Sequence, residues 1–186
     1  MKKLLTFIIL MFIFAVNAPA QAEANTARSS AQFTAADAVS KSAKEEDNRA
    51  EILQGFLESY NSPMAPYAQS FIDEADKNDI DWKWVPAIAG VESYFGQQIP
   101  PYSYNGWGYG VYGNNVRRFT SWEDGIAVVS GALREDYMDK WGATNVQEIG
   151  SKYAADPRWS VKVQKFVNLL DAYEKKNTKK SIALSI

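Results

Sequence analysis

Between Ala50 and Lys175 the large apolar side chains return at intervals of three and four residues, a period that an α-helix turns into one continuous stripe and a strand cannot. Leu53, Phe56 and Leu57 mark a first helix after Asp47-Asn48, and Ala68, Phe71, Ile72 and Ala75 a second that begins near Pro66. A third follows Asp81 as N-cap, carries Val85, Ile88, Ala89 and Phe95 on one face, and has Pro86 loosening its first turn. Thr120-Ser121-Trp122-Glu123 reads as a capping box that opens a long helix bearing Ile126, Val129, Leu133 and Tyr137. Thr144-Asn145-Val146-Gln147 is a second such start, for a short helix through Ile149. Asp156-Pro157 begins the last, with Trp159, Val163, Phe166, Val167, Leu170 and Tyr173 at core spacing. The expectation is a mainly α domain interrupted by one hairpin-like or irregular insert at about residues 97–118.

The segments around this domain have other compositions. Lys2 and Lys3, the apolar run Leu4–Val16 and the small residues Ala18-Pro19-Ala20-Gln21-Ala22 read as a secretory signal over residues 1–22, cut after Ala22. Its run is shorter than the roughly 20 residues of a membrane span, so no stable span is expected once the signal is cut; kept, it would be an anchor. Residues 23–49, rich in Ala, Ser and Thr with Phe33 and Val39 as their large apolar side chains, read as a flexible linker. Residues 50–175 hold all six tryptophans and suffice for one core. Residues 176–186 read as a lysine-rich C-terminal tail. The expected destination is the cell envelope, periplasm or wall, or the medium.

Composition narrows the chemistry. The chain has no cysteine and no histidine, which excludes disulfides, Cys/His metal sites, Cys nucleophiles and Ser-His-Asp triads. Carboxylates and tyrosines remain as proton carriers. The net charge of −2 becomes −4 when the two lysines of the signal are removed, and an acidic chain without a dense basic stripe is a poor nucleic-acid binder. Nothing points to oligomerisation, so a monomer is expected.

Two features stand out inside the domain. Glu92 follows Ala89 by three residues, Ile88 by four and Val85 by seven, so helical period sets its carboxyl on the apolar face, where burial raises its pKa as a general acid requires. The same position also suits a structural glutamate held by backbone amides or an arginine. From Tyr94 to Tyr112, nineteen residues contain seven aromatics, Tyr94, Phe95, Tyr102, Tyr104, Trp107, Tyr109 and Tyr112, interleaved with glycines. Flat rings with polar tips beside sharp turns suit sugar binding; they also suit a cap on the helical core.

Ile88-Ala89-Gly90-Val91-Glu92-Ser93-Tyr94-Phe95-Gly96 resembles the catalytic-helix motif of lysozyme-like peptidoglycan-cleaving enzymes. Asn105-Gly106-Trp107-Gly108 resembles the Asn-x-aromatic-Gly element of their bacterial endo-β-N-acetylglucosaminidase branch, and Arg118-Phe119-Thr120-Ser121-Trp122-Glu123-Asp124 and Tyr153-Ala154-Ala155-Asp156-Pro157-Arg158-Trp159 resemble two later elements of it in the same order. The resemblance, over roughly residues 67–173, implies a lysozyme-like fold within the lytic transglycosylase superfamily, with the insert as one wall of a glycan cleft. It implies cleavage of the β-1,4 bonds of peptidoglycan strands, with no metal or organic cofactor. It makes Glu92 the general acid and Tyr153 the tyrosine facing it, and lines the groove with Asn105, Trp107 and Tyr109; Ser93, Tyr94 and Tyr112 complete the candidate substrate-binding set. This chain carries Tyr94-Phe95 where that branch has Gly-Trp.

Two-carboxylate glycosidases hold their pair roughly 5 to 9.5 Å apart. Between Gly96 and Phe119 there is no Asp or Glu, and Asp124 and Asp156 sit at helix starts, where capping is the expected role. A single-acid mechanism is therefore expected, in which the substrate's own N-acetyl group traps the sugar centre and hydrolysis follows. Trapping by the 6-hydroxyl would instead give a lytic transglycosylase. A catalytically silent glycan-binding module and a structural helical interaction module are the rival readings.

Overall fold

The computed structural model describes residues 47–110 and 115–184, the side chains of 179–184 excepted; the signal, most of the linker and Tyr112 lie outside them. The described residues fall in the unit Glu45–Ile186 and contain helices and turns but no strand. The helices are α1 (Arg49–Ser59), α2 (Ala68–Lys77), α3 (Trp84–Ser93), α4 (Trp122–Ala132), α5 (Val146–Tyr153) and α6 (Trp159–Leu184). A 3₁₀ turn, Ala65–Tyr67, leads into α2. The chain is thus mainly α, and α6 runs without a break past Lys175, where the composition suggested that the domain ends.

The predicted apolar stripes form the core. Leu53, Phe56 and Leu57 of α1, Phe71 and Ile72 of α2, Ile126 and Val129 of α4, and Val163 and Leu170 of α6 are all buried. Helix α3 is enclosed on nearly every side: Val85 through Gly90 are buried as well as Ser93. It packs chiefly on α6, while α2 packs on α4 and α1 on both α2 and α6. Lys83, just before α3, reaches Asp171 and Glu174 of α6 and ties the start of one helix to the middle of the other. Pro86 lies within the first turn of α3, where its missing N–H has no intrahelical acceptor to lose.

Both capping boxes are shifted by one residue from the expected register. Ser121, with extended backbone, is the N-cap of α4 and accepts from the Asp124 N–H at 3.2 Å. The Asp124 carboxylate reaches back to the N–H and hydroxyl of Thr120 at 2.8 and 2.9 Å. In α5 the same roles fall to Asn145, Glu148 and Thr144. Glu123 and Gln147 are therefore not the closing arms. The box closes on an Asp or Glu because a carboxylate accepts two bonds from the preceding threonine, and those bonds hold Asp124 and Glu148 below the usual carboxylate range. Ser121→Ala is expected to lower stability by about 1 kcal/mol, read from urea unfolding at neutral pH. Separately, because the Asp124 and Glu148 carboxyls have depressed pKa values, what their bonds to Thr120 and Thr144 add to stability is present above the ordinary carboxylate range and is lost as pH falls through the folded values.

The long helix predicted through Tyr137 changes its winding. From Leu133 to Lys140 the chain is a π-helix. There the ring of Tyr137 lies 5.7 Å from that of Tyr153. Single π segments recur at functional sites because they redirect side chains without ending the helix.

Candidate active site

Glu92 is the penultimate residue of α3. Its side chain is not inside the apolar stripe, as helical period suggested, but leaves the helix at the edge of the core, and as a residue it stays exposed. Its carboxyl is nevertheless flanked by protein. Oε1 accepts a 2.6 Å hydrogen bond from the indole Nε1–H of Trp159, at the start of α6. Oε2 faces Gly108 so closely that a β-carbon on that glycine would sit 3.2 Å from it. Desolvation by these neighbours pushes the Glu92 pKa above the ordinary glutamate value, while the indole N–H and the charge of Lys162 pull it partly back. Lys162 itself is held by Asp156 at 2.7 Å.

Tyr153 stands beside this carboxyl at the end of α5. Its ring stacks on Trp159 with centroids 4.6 Å apart and planes 20° from parallel, and its hydroxyl donates to the Trp107 backbone carbonyl at 2.7 Å. Burial pushes its pKa well up, and the negative charge of Glu92 pushes the same way, so Tyr153 stays protonated. The sequence pairing of Glu92 with Tyr153 is therefore found in space. Asp156, as expected for a residue before a helix, accepts from the Arg158 N–H at 2.9 Å.

The insert divides into scaffold and surface. Asn105 is buried and uses its whole amide internally: Nδ2 donates to the carbonyls of Tyr109 and Arg117, each at 2.9 Å, and Oδ1 accepts from the Tyr109 N–H at 3.1 Å. It shapes the loop and has no group left for a sugar. Trp107, expected on the groove wall, is 0% exposed. Its Nε1–H donates to the Val85 carbonyl at 3.0 Å, and its ring packs against Phe71, Phe119 and Trp122. Gly125 of α4 makes room for it, since a β-carbon there would come within 2.6 Å of the indole. What Trp107 gives the site is its backbone carbonyl.

Ser93 is likewise buried. Its hydroxyl lies 2.7 Å from the Gly106 carbonyl and accepts from the Gly96 N–H at 2.8 Å, pinning the end of α3 to the insert. Ser93→Ala is expected to lower the midpoint of thermal unfolding by an amount worth about 1–3 kcal/mol, because the Gly96 N–H and Gly106 carbonyl lose a buried partner. A substrate-binding serine would weaken binding and leave that midpoint in place.

Other aromatics of the segment face solvent. Tyr94 is about half exposed and holds a left-handed backbone, φ 51°, with its ring edge-on to Tyr60 at 5.8 Å. Tyr102 and Tyr104 are also exposed. Tyr109 is partly buried, lies under the Arg117 guanidinium at 5.1 Å, and borders a groove of about 450 Å³ between α2 and α4. Trp159, expected as a core residue, is the one that reaches Glu92; its sequence signal was the aromatic that follows Asp156-Pro157.

Among the described residues there is no group of three or more Asp or Glu side chains placed to hold a metal ion, and no helix long and apolar enough to cross a membrane. Compared with protein-family models, with curated proteins and with solved structures, the chain matches none.

Proposed function

We propose that this chain is an exported enzyme with a lysozyme-like helical domain that cleaves the β-1,4 glycan strand of peptidoglycan, acting as an endo-β-N-acetylglucosaminidase with Glu92 as its single general acid. The observation that carries the reading is the Glu92 carboxyl itself, solvent-reachable yet desolvated enough to keep a proton above the usual glutamate range, with a buried neutral tyrosine beside it. A group placed in this way keeps its proton to higher pH than an ordinary glutamate and can hand it to a leaving alkoxide oxygen. The catalytic-helix element that resembles lysozyme-like enzymes and the three that resemble their glucosaminidase branch point to the same chemistry.

In the proposed reaction Glu92 gives its proton to the glycosidic oxygen as the bond from that oxygen to the anomeric carbon breaks. The carbonyl oxygen of the substrate's N-acetyl group closes on the anomeric carbon and forms an oxazolinium ring. Glu92, now a carboxylate, takes a proton from water as the water opens that ring, which restores the acid and yields a reducing end. The charged side chain acting on Glu92 is the cation Lys162 rather than a second carboxylate, and this favours substrate assistance over a protein nucleophile. Tyr153, its hydroxyl hydrogen committed to the Trp107 carbonyl, stays neutral beside the acid.

Digestion of purified peptidoglycan by residues 23–186, followed by borohydride reduction and mass spectrometry of the soluble fragments, tests the reading. Reducible N-acetylglucosamine ends are the expected product. Ends lacking one water and resisting reduction would replace it with lytic transglycosylase chemistry. Retained glycan binding with no fragments would replace it with a binding module.

A further inference from the structure

We propose that Trp159 is a positioning residue whose indole N–H holds Oε1 of Glu92, leaving Oε2, above Gly108, as the oxygen that carries the proton and meets the substrate. The inference rests on Glu92 being the acid, and adds which of its oxygens acts and what aims it.

An indole N–H donates and never accepts, so Oε1 has to be an acceptor at 2.6 Å. The carbonyl oxygen of a carboxylic acid accepts better than its hydroxyl oxygen, which puts the proton on Oε2. The aim of the N–H is fixed by the surroundings of the ring. Trp159 is buried, one face is stacked on Tyr153, and Tyr153 is in turn locked by its hydroxyl on the Trp107 carbonyl and backed by Tyr137. Burial and this stack hold the indole in place. The Tyr153 hydroxyl has a single hydrogen and spends it on Trp107, so it does not compete with Trp159 as a donor to Glu92.

Gly108 completes the arrangement. At φ 61° it holds a backbone conformation that L side chains rarely adopt, and its missing β-carbon leaves open the approach to Oε2. Gly110 is a natural control. It too has positive φ, 65°, but a β-carbon there would meet the Arg117 side chain and not Glu92.

Two measurements test the assignment. In the free protein, the ¹⁵N–¹H indole resonance of Trp159 is expected to move with pH through one titration that disappears in Glu92→Gln. A resonance insensitive to pH and to Glu92→Gln would overturn the contact whatever the enzyme does. In peptidoglycan digestion, Trp159→Phe keeps a ring on Tyr153 but removes the donor. It is expected to lower kcat about ten- to a hundredfold with little change in KM. It should also shift the alkaline limb of the pH–rate profile upward, because the lost hydrogen bond stabilised the carboxylate. A fall in kcat with the limb unmoved would make Trp159 merely structural.

Gly108→Ala should lose activity that Gly110→Ala, equally strained, retains; equal losses would remove Oε2 from its role. Full activity of Glu92→Gln would sink the enzymatic reading of Glu92, while the indole titration would still decide whether the contact exists.

Discussion

Glu92→Gln is expected to reduce the rate of glycan cleavage by about 10²- to 10⁴-fold, the range that positioned acid catalysis supplies. Glutamine has nearly the same shape, and its carbonyl oxygen can still accept from the Trp159 indole, so the site keeps its geometry and loses only the proton. Stability is expected to move the other way. The folded-state pKa of Glu92 is raised, so its contribution to stability is complete below the unfolded-state value and is lost as pH rises through the folded one. Where Glu92 is ionised in the folded state its carboxylate therefore opposes folding, and Glu92→Gln should there unfold at the same temperature or a higher one. Calorimetry at pH 7 beside the digestion assay checks both halves. A glutamate that only buttressed the helix end would give the reverse pattern, with full activity and a lowered Tm.

Trp107→Ala is expected to destabilise the domain by about 3–5 kcal/mol, as large aromatic truncations in cores do. The indole is fully enclosed and packs against Phe71, Phe119 and Trp122, and its removal takes the indole donor from the Val85 carbonyl. A domain of this size has roughly 5–15 kcal/mol in all, so the variant should lose a large share of its total stability. Trp107→Phe keeps a ring and loses the hydrogen bond, and about 1–3 kcal/mol is expected for it. Urea titrations followed by circular dichroism measure both. An unchanged urea midpoint in Trp107→Ala would contradict the enclosed position. The expected loss of activity in Trp107→Ala is indirect, through the Trp107 carbonyl that anchors Tyr153.

The helices were readable because their causes are local. Apolar spacing within one or two turns decides which face is buried, and so Leu53, Phe56, Phe71, Ile126 and Leu170 are core residues as the period predicts. The Thr-Ser and Thr-Asn starts were readable as caps for the same reason. Their register was not, because adjacent residues with side-chain oxygens compete for one role and the choice depends on which carboxylate can swing back, Asp124 and Glu148 here. The π-helix of Leu133–Lys140 carries the same apolar spacing as an α-helix and left no local mark.

The insert shows where local evidence stops. A tryptophan and an asparagine among glycines and tyrosines look alike whether they face a ligand or a core, and only packing sends Trp107 and Asn105 inward while leaving Tyr94 and Tyr102 in solvent. Local signals were enough to read a mainly helical domain and to single out Glu92 near the end of α3 and Tyr153 on a later helix, since period and motif act over a few residues. Tertiary structure alone decided the chemistry around that glutamate. The Trp159 indole comes from 67 residues along the chain, and its direction is set by a stack of rings from three helical segments. Hydrogen-bond direction, desolvation and the gap above Gly108 arise only when distant segments meet at ångström distances, and no spacing along a single segment encodes them.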